Sequence, residues 1–403
     1  MKNITPSIRL FLSLFSSLLL VTSCQNNEEL EVQELSPLSN YTMEPIKGQY
    51  VVVLKESMSG KYATQKYNER IVSLKKDYLA RFSTIKLTSE KIKQTYGYGV
   101  SGFAAQLDEE QLSALKKDSR VKSIEQDYTI TLNPDLSILK GKPSGGGGTT
   151  APDEVTPWGI GRVGGGLSGV GKTAWIIDTG IDLTHPDLNV DTNRSKSFLG
   201  GRDANNPNDG NGHGTHVAGT VAAIDNDTYV IGVAAGATVV AVRVLDSRGS
   251  GSYSGVIAGV EYVGANGHGD TANMSLGGPF SSTLNDAVIK ASANVKFAIA
   301  AGNESDDANN HSPASANGTN IYTVSAMNSS GIFAYFSNYG SSVDFCAPGV
   351  SIQSLWKGGG MNTISGTSMA APHVCGLLLL GTVNSSGTVL EDPDGNPDPI
   401  AHR

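Results

Sequence analysis

Hydrophobic and polar positions follow one another in several distinct patterns along the chain. Leu10 to Val21 is an apolar run behind Lys2 and Arg9. At about a dozen residues it is too short to cross ~30 Å of hydrocarbon and has the form of a cleaved export signal. Gln49 to Leu54 is a β-branched run that suits a strand. After Gly60 the period becomes helical, with Ile71, Leu74, Tyr78 and Leu79 on one face and Lys66, Glu69, Lys75 and Lys76 on the other. Val100 to Leu107 returns to strand character. Asp108 then opens a second helix with Gln111 at the capping-box position and Leu112 and Leu115 facing inward. Val121 to Ile130 is a closing strand. Strand, helix, strand, strand, helix, strand is the split βαβ plan, which about 85 residues can fill.

Beyond this module the pattern changes. Asn133 to Pro157 is poor in apolar side chains and contains Lys142-Pro143-Ser144 and Gly145 to Gly148, which predicts an extended, cleavable linker. From Trp158 onward, apolar runs end in Gly-containing turns, as buried parallel strands do. The expected organisation is 1–23 signal, 24–47 polar tether, 48–133 small α+β ferredoxin-like domain, 134–157 linker and 158–403 second, larger domain. The last is expected to be α/β, a mostly parallel sheet with helices on both faces.

Composition sharpens this division. The 403 residues carry 30 Lys+Arg and 38 Asp+Glu, a net charge of -8, which argues against nucleic acid as a partner. Residues 25–143 hold 17 basic and 16 acidic side chains, net +1, whereas 144–403 hold 11 and 22, net -11. Of the 48 glycines, 6 precede Ser144 and 42 follow it. One segment is charge-dense and Lys-rich, the other Gly-rich and acidic. Three cysteines exclude a disulfide scaffold. Cys346 and Cys375 are compatible with one disulfide or with two buried thiols.

Three separated stretches carry chemistry. Thr173 to Asp182 is an apolar run that presents Asp178 at its end, where open α/β sheets place their sites. Asn211 to Thr220 starts a helix at His213. Ser365 to Val374 starts an apolar helix at Ser368. A serine nucleophile needs a base and a carboxylate behind the base, and Asp178, His213 and Ser368 supply them in that order. Read singly, they would be a strand-end cap, a surface residue and a helix N-cap. His213 and His216 also form HxxH, but without the glutamate base of a zinc peptidase, so no catalytic metal or organic cofactor is expected. His216 and His373 are expected to pack between helices.

Together these stretches resemble the subtilisin-like serine proteases. The resemblance runs from Trp158 to about Leu380. Tyr98 to Phe103 and Ile124 to Asp127 resemble the propeptide of that family. It implies a zymogen whose propeptide assists folding and then blocks the site with its C-terminal tail, and an acyl-enzyme endopeptidase acting on proteins or peptides. Phe297 to Asn303 implies an oxyanion hole shared by Asn303 and the Ser368 N–H. Loss of such a donor costs ~2.7–4 kcal/mol in subtilisin, a magnitude carried over to Asn303. Gly249, Gly251, Tyr253, Ser275, Leu276 and Gly277 match the two edges that receive an extended peptide, with Ala300, Ala301 and Gly302 walling the primary pocket. No acidic residue lies in those segments, so apolar or aromatic residues are expected before the cut bond. Asp187 and the loop Ile224 to Val230 match a structural calcium site, with Asn226 and the carbonyls of Ile224, Thr228 and Val230 as further ligands. A solvated Asx turn is the alternative. Asp344 suggests a weaker second site, although its partner loop 317–320 differs in length.

Val21-Thr22-Ser23-Cys24 resembles the bacterial lipobox, which implies acylation of Cys24, a lipid bilayer as partner, and export to the outer membrane or cell surface. An ordinary signal with a chance Cys is the alternative. The enzyme is expected to be a monomer. Only 35 residues follow Ser368, which implies a curtailed C-terminal helical part. Met369, beside the nucleophile, implies inactivation by peroxide. The competing function is an inactive surface binding protein on the same scaffold.

Overall fold

The computed structural model describes residues 44–56, 59–132 and 151–403. Cys24, the signal and residues 24–43 of the tether lie outside the described residues, as does most of the expected linker, whereas Pro45 to Lys47, expected in the tether, belong to the first strand of the small domain.

Residues 45–131 form the split βαβ plan: β1 Pro45–Leu54, α1 Tyr67–Arg81, β2 Ile92–Gly97, β3 Ser101–Gln106, α2 Glu109–Lys117 and β4 Val121–Thr131. The expected capping box is present. The Asp108 carboxylate accepts from the Gln111 N–H, and the Gln111 side chain accepts from the Asp108 N–H. The strands pair antiparallel in the order β4-β1-β3-β2. Leu74, Tyr78, Phe82, Phe103 and Leu115 close a core between sheet and helices.

The second domain is built on a ten-stranded sheet. Its principal elements are β5 Thr173–Asp178, α3 His213–Ala222, β6 Thr238–Arg243, β7 Ser250–Ser252, α4 Tyr253–Asn266, β8 Thr271–Met274, α5 Ser282–Ala291, β9 Lys296–Ala300, β10 Ile321–Met327, β11 Phe345–Pro348, β12 Ile352–Trp356, β13 Gly360–Ile364, α6 Thr367–Leu380, β14 Asn384–Thr388 and β15 Pro399–His402. Along the sheet the order is β14-β15-β11-β10-β9-β8-β5-β6, and every pair inside β14 is parallel. The central strands are apolar on both faces because both are covered. Ala174, Ile176, Val239, Ala241, Ala298 and Ala300 face the side of α3 and α6. Trp175, Ile177, Val240, Val242, Phe297 and Ile299 face the side of α4 and α5. The small residues on the first face give α6, buried from Thr367 to Leu379, room to lie close to the sheet.

The N-terminal domain sits on α4 and α5. Val51, Val53, Tyr67, Tyr96, Val100, Ala104 and Ile130 belong to the same buried cluster as Trp175, Val256, Val260 and Leu284.

Among the described residues no helix follows α6, in keeping with a curtailed helical part, and strands that the polar stretch did not announce take its place. The end of the chain is part of the sheet: β14 and β15 form a hairpin, and Ile400 pairs with Cys346 of β11. Val389, Ile400 and Ala401 are buried there, so short apolar insertions in a polar stretch suffice for a strand. The expected linker also ends before Pro157. Asp153 bridges Thr228 and Val155 bridges Val230, so residues 152–155 belong to the enzyme fold.

Candidate active site

Asp178 is fully buried at the C-terminal end of β5. His213 is the first residue of α3, entered through Gly212 at φ 117°. A Cβ on Gly212 would lie 2.3 Å from the Trp356 ring, and one on Gly214 would lie 2.1 Å from the Gly180 carbonyl oxygen. The Gly-His-Gly sequence is therefore what lets α3 start against the end of β5. His213 Nδ1 lies 2.8 Å from Asp178 Oδ1 and 3.0 Å from Oδ2. Burial alone would lower the proton affinity of His213, but the charge and hydrogen bond of Asp178, aided by the charge of Asp209, raise it above the ordinary imidazole value.

Ser368 is the second residue of α6 and is 8% exposed. Its hydroxyl donates to the Ser275 carbonyl at 3.2 Å, while the Ser275 hydroxyl donates to the Ser368 carbonyl at 2.7 Å. Asn303 follows β9. Its Oδ1 accepts from the Thr367 N–H at 2.8 Å and from the Thr367 hydroxyl at 3.0 Å. That anchorage leaves the amide Nδ2 to face the cavity. Thr367 thus aims Asn303, a role not assigned from the sequence. His213, Asn303 and Ser368 line one cavity of about 290 Å³.

The expected peptide edge is occupied by the molecule's own N-terminal domain. The end of β4 pairs antiparallel with β7, Ile130 opposite Gly251 and Thr129 opposite Ser252. The Leu132 N–H donates to the Gly249 carbonyl at 2.9 Å. A Cβ on Gly251 would fall 2.2 Å from the Val244 carbonyl oxygen. Tyr253, whose hydroxyl donates to the Pro279 carbonyl, and Leu276 share the buried cluster of Ile130. Leu276, Gly277 and Gly302 line the cavity beside Thr131 and Leu132. The other edge behaves differently at its far end, where Gly278-Pro279 pairs with His311-Ser312.

The cavity also takes a residue from outside the segments named for it. Glu304, one residue past Asn303, lines it together with His311, so the pocket does contain an acid. Glu304 Oε2 accepts from Asn338 Nδ2 at 2.5 Å and lies 3.8 Å from His311 Nδ1. Burial pushes the Glu304 carboxyl above its ordinary range, and His311 and Asn338 oppose that shift.

Further acids hold the two domains together: Glu261, which the sequence did not single out, and Glu125 and Asp127 of the propeptide-like stretch, whose partners it did not show. Glu261 on α4 is fully buried and accepts the backbone N–H groups of Gly97, Tyr98, Gly99 and Val100 at 3.0, 2.5, 2.7 and 2.8 Å. Glu125 accepts from the hydroxyls of Ser281, Ser282 and Thr283 at the start of α5. Asp127 accepts from the Ser254 N–H in the first turn of α4. The Glu125 and Asp127 contacts place carboxylates at helix N-termini, across about 130 to 160 residues of chain.

Asp187 is fully buried, and burial pushes its carboxyl up to about 7, against the Asn226 amide and the Val230 N–H. Asn226 Nδ2 lies 2.7 Å from Asp187 Oδ1. In the loop, the carbonyls of Ala223, Asp227 and Tyr229 accept from the N–H groups of Gly232, Glu154 and Val155. Among the described residues, the carbonyls of Ile224, Thr228 and Val230 accept no hydrogen bond. Alternate free carbonyls beside a carboxylate and an amide are a donor set that fits a hard cation. Glu154 adds a carboxylate, accepting from the Asn226 N–H at 2.7 Å. Asp344 differs: it accepts from the Thr323 N–H at 2.8 Å, while in loop 317–320 the Asn320 amide donates to the Ser292 carbonyl. The Asn320 amide is therefore committed to Ser292 and not to Asp344.

His216 and His373 are buried, with proton affinities lowered by burial to about 3 and about 4. His216 Nε2 meets the Ile352 carbonyl and His373 Nδ1 the Met369 carbonyl, as packing residues. Cys346 and Cys375 are buried free thiols. Met369 is buried but lines the cavity.

The sequence matches the Subtilase family over residues 172–384 and Peptidase inhibitor I9 over residues 49–133. It is 41% identical over 311 residues to the subtilisin-like serine protease AsES of Sarocladium strictum, covering 73% of each chain. It is 36% identical over 365 residues to the alkaline serine protease ver112 of Corniculantispora psalliotae, covering 85% of this chain and 83% of that one. A crystal structure of a cold adapted subtilisin-like serine proteinase aligns with a TM-score of 0.52 at 38% identity, over 61% of this chain and 97% of the other. The chain accordingly belongs to the subtilase family, a serine endopeptidase that carries its own inhibitor-type propeptide domain.

Proposed function

We propose that Asp178, His213 and Ser368 form the triad of this endopeptidase and that the molecule described is its zymogen, with the propeptide tail lying in the substrate cleft. The observation that carries this reading is the convergence of His213, paired to Asp178, with Ser368 and Asn303 on the cavity that Leu132 enters. Both Asp178 oxygens lie on His213 Nδ1, which holds the proton on that nitrogen and leaves Nε2 free as the base. The Ser368 hydroxyl turns from the Ser275 carbonyl toward Nε2, loses its proton there and attacks the peptide carbonyl. The developing oxyanion is met by Asn303 Nδ2 and the Ser368 N–H. The imidazolium returns its proton to the leaving amine, and water hydrolyses the ester by the same route.

Residues before the cut bond extend along Gly249 to Ser252, as the propeptide tail does. The primary pocket takes apolar or aromatic side chains along Ala300 and Ala301, and Glu304 favours those whose tip donates a hydrogen bond. Asp187, Asn226 and the carbonyls of Ile224, Thr228 and Val230 would hold a calcium ion, with Glu154 beside them, and the ion would stabilise the fold without taking part in the reaction. The lipobox-like Val21 to Cys24 supports export and anchoring through Cys24. Membrane association that persists in Cys24→Ala would contradict the anchor. N-terminal sequencing of the wild-type product beside Ser368→Ala tests the zymogen reading. A new N-terminus within residues 134–151 in the wild type only is expected; the same cleavage in Ser368→Ala would overturn it.

A further inference from the structure

Asp209 lies in the loop before α3 and is 4% exposed. Its Oδ1 accepts from the Thr179 hydroxyl at 2.9 Å and from the N–H groups of Asn211 and Gly212, both at 2.8 Å. Its Oδ2 accepts from the Thr215 N–H at 3.0 Å and the Thr215 hydroxyl at 2.6 Å. Five donors thus converge on one carboxylate. The start of a helix leaves four N–H groups without intrahelical partners. In α3 these belong to Gly212, His213, Gly214 and Thr215. Asp209 takes the first and last directly. The Gly214 N–H donates to the Thr179 hydroxyl, which itself donates to Asp209, and the His213 N–H donates to the Asn211 side chain at 3.2 Å.

Asp209 therefore joins two pieces of chain. One is Thr179, the residue after Asp178, whose own N–H donates to Asp178 Oδ1 at 2.7 Å. The other is the helix turn that carries His213. We propose that Asp209 is a positioning residue of the triad: it fixes the His213 imidazole against Asp178 and adds a second negative charge that favours the imidazolium formed during acylation. The proposal rests on the assignment of Asp178, His213 and Ser368 made above. The charged or titratable groups nearest His213 are Asp178 at the end of β5, Asp209 in the loop and His216 one turn along α3, which burial keeps neutral, and Arg248, Glu304 and His311 line the same cavity.

Asp209→Asn tests this. An amide keeps one acceptor oxygen and turns an NH₂ group toward either the Thr215 donors or the Gly212 and Asn211 donors. The first turn of α3 must then shift, and a displacement of about 1 Å near the chemistry costs on the order of 10²-fold. The chain is expressed in full and processed, active sites are counted with a fluorophosphonate, and labelling rate, kcat, KM and the pH profile are compared per active site. The expected result is a labelling rate and kcat lower by about 10²-fold, KM within about twofold, and an acid limb of kcat/KM moved to lower pH. A variant that melts earlier but keeps the wild-type kcat and acid limb per titrated site would show that Asp209 only stabilises the loop, and would overturn the proposal. Absence of labelling at Ser368 in the wild type would instead sink the triad assignment. Should Asp209→Asn fail to fold, Thr179→Val removes one donor and the link to Gly214. It should lower kcat in the same direction, and an unchanged kcat there would equally count against the proposal.

Discussion

Replacing Glu261 by Gln removes one charge from the most concentrated contact between propeptide and peptidase. In the native chain four consecutive N–H groups, from Gly97 to Val100, converge on one fully buried carboxylate at 2.5 to 3.0 Å. Glu261 Oε2 takes the first pair and Oε1 the second. Gln can serve one pair and must face the other with its own donor. Hydrogen bonds to a charged group contribute about 1.5–3 kcal/mol each. Losing two therefore costs about 3 kcal/mol at the lower end, or roughly 10²-fold in the equilibrium for opening the contact. Hydrogen exchange on the full chain in a Ser368→Ala background reads this directly, because the propeptide stays attached. The amides of residues 97–100 should exchange about 10²-fold faster in Glu261→Gln, while those of β5 and β9 keep their protection. Unchanged protection at 97–100 would mean that packing of Tyr96, Tyr98 and Val100 alone holds the domain, and the electrostatic account would be wrong.

Other outcomes follow from the same geometry. Asn303→Ala should lower kcat by about 10²- to 10³-fold with little change in KM; near-normal turnover would remove Asn303 from the oxyanion hole. Asp187, raised to about 7 by burial, binds a proton more tightly in the cation-free fold than in the unfolded chain. Its contribution to stability is present below about pH 4 and is lost as pH rises through about 7. A bound calcium ion needs the ionised form and reverses that preference. The gain in Tm on adding calcium should therefore be larger at about pH 8.5 than at about pH 6, and Asp187→Asn should shrink it at both; equal gains at the two pH values would contradict the site. Burial pushes the Cys375 thiol up to about 12 and that of Cys346 higher still. Neither should react with a thiol reagent in the native state, and both should react on unfolding; rapid native labelling of either would contradict their burial.

The parts of this molecule legible in its sequence are those whose chemistry is local. The capping box of Asp108 and Gln111, the apolar runs of β5 and β9, and the Gly-framed starts of α3 and α6 declare themselves within a few residues. Asp178, His213, Ser368 and Asn303 could be singled out because each sits where a strand or helix begins or ends. Asp209, Glu261, Glu125 and Glu304 act through partners chosen by the fold, and a single acid in a loop, on a helix or on a strand carries no periodic signal for that. Glu304 shows the cost: the stretches 249–253, 275–278 and 300–302 contain no acid, and the acid that lines the cavity comes from the turn after Asn303. The C-terminal hairpin was missed for a related reason. Val389, Ile400 and Ala401 are too few to mark a strand until β11 offers an edge to pair with.

The claim on which the account turns is that Ser368 is a nucleophile activated by His213 and masked by the propeptide tail. A fluorophosphonate probe followed by peptide mapping tests it most directly. The account predicts one adduct on Ser368 in the processed protein, much slower labelling while the propeptide is bound, and none in Ser368→Ala or His213→Ala. An adduct on another serine, or labelling of Ser368 that is as fast in His213→Ala as in the wild type, would contradict it.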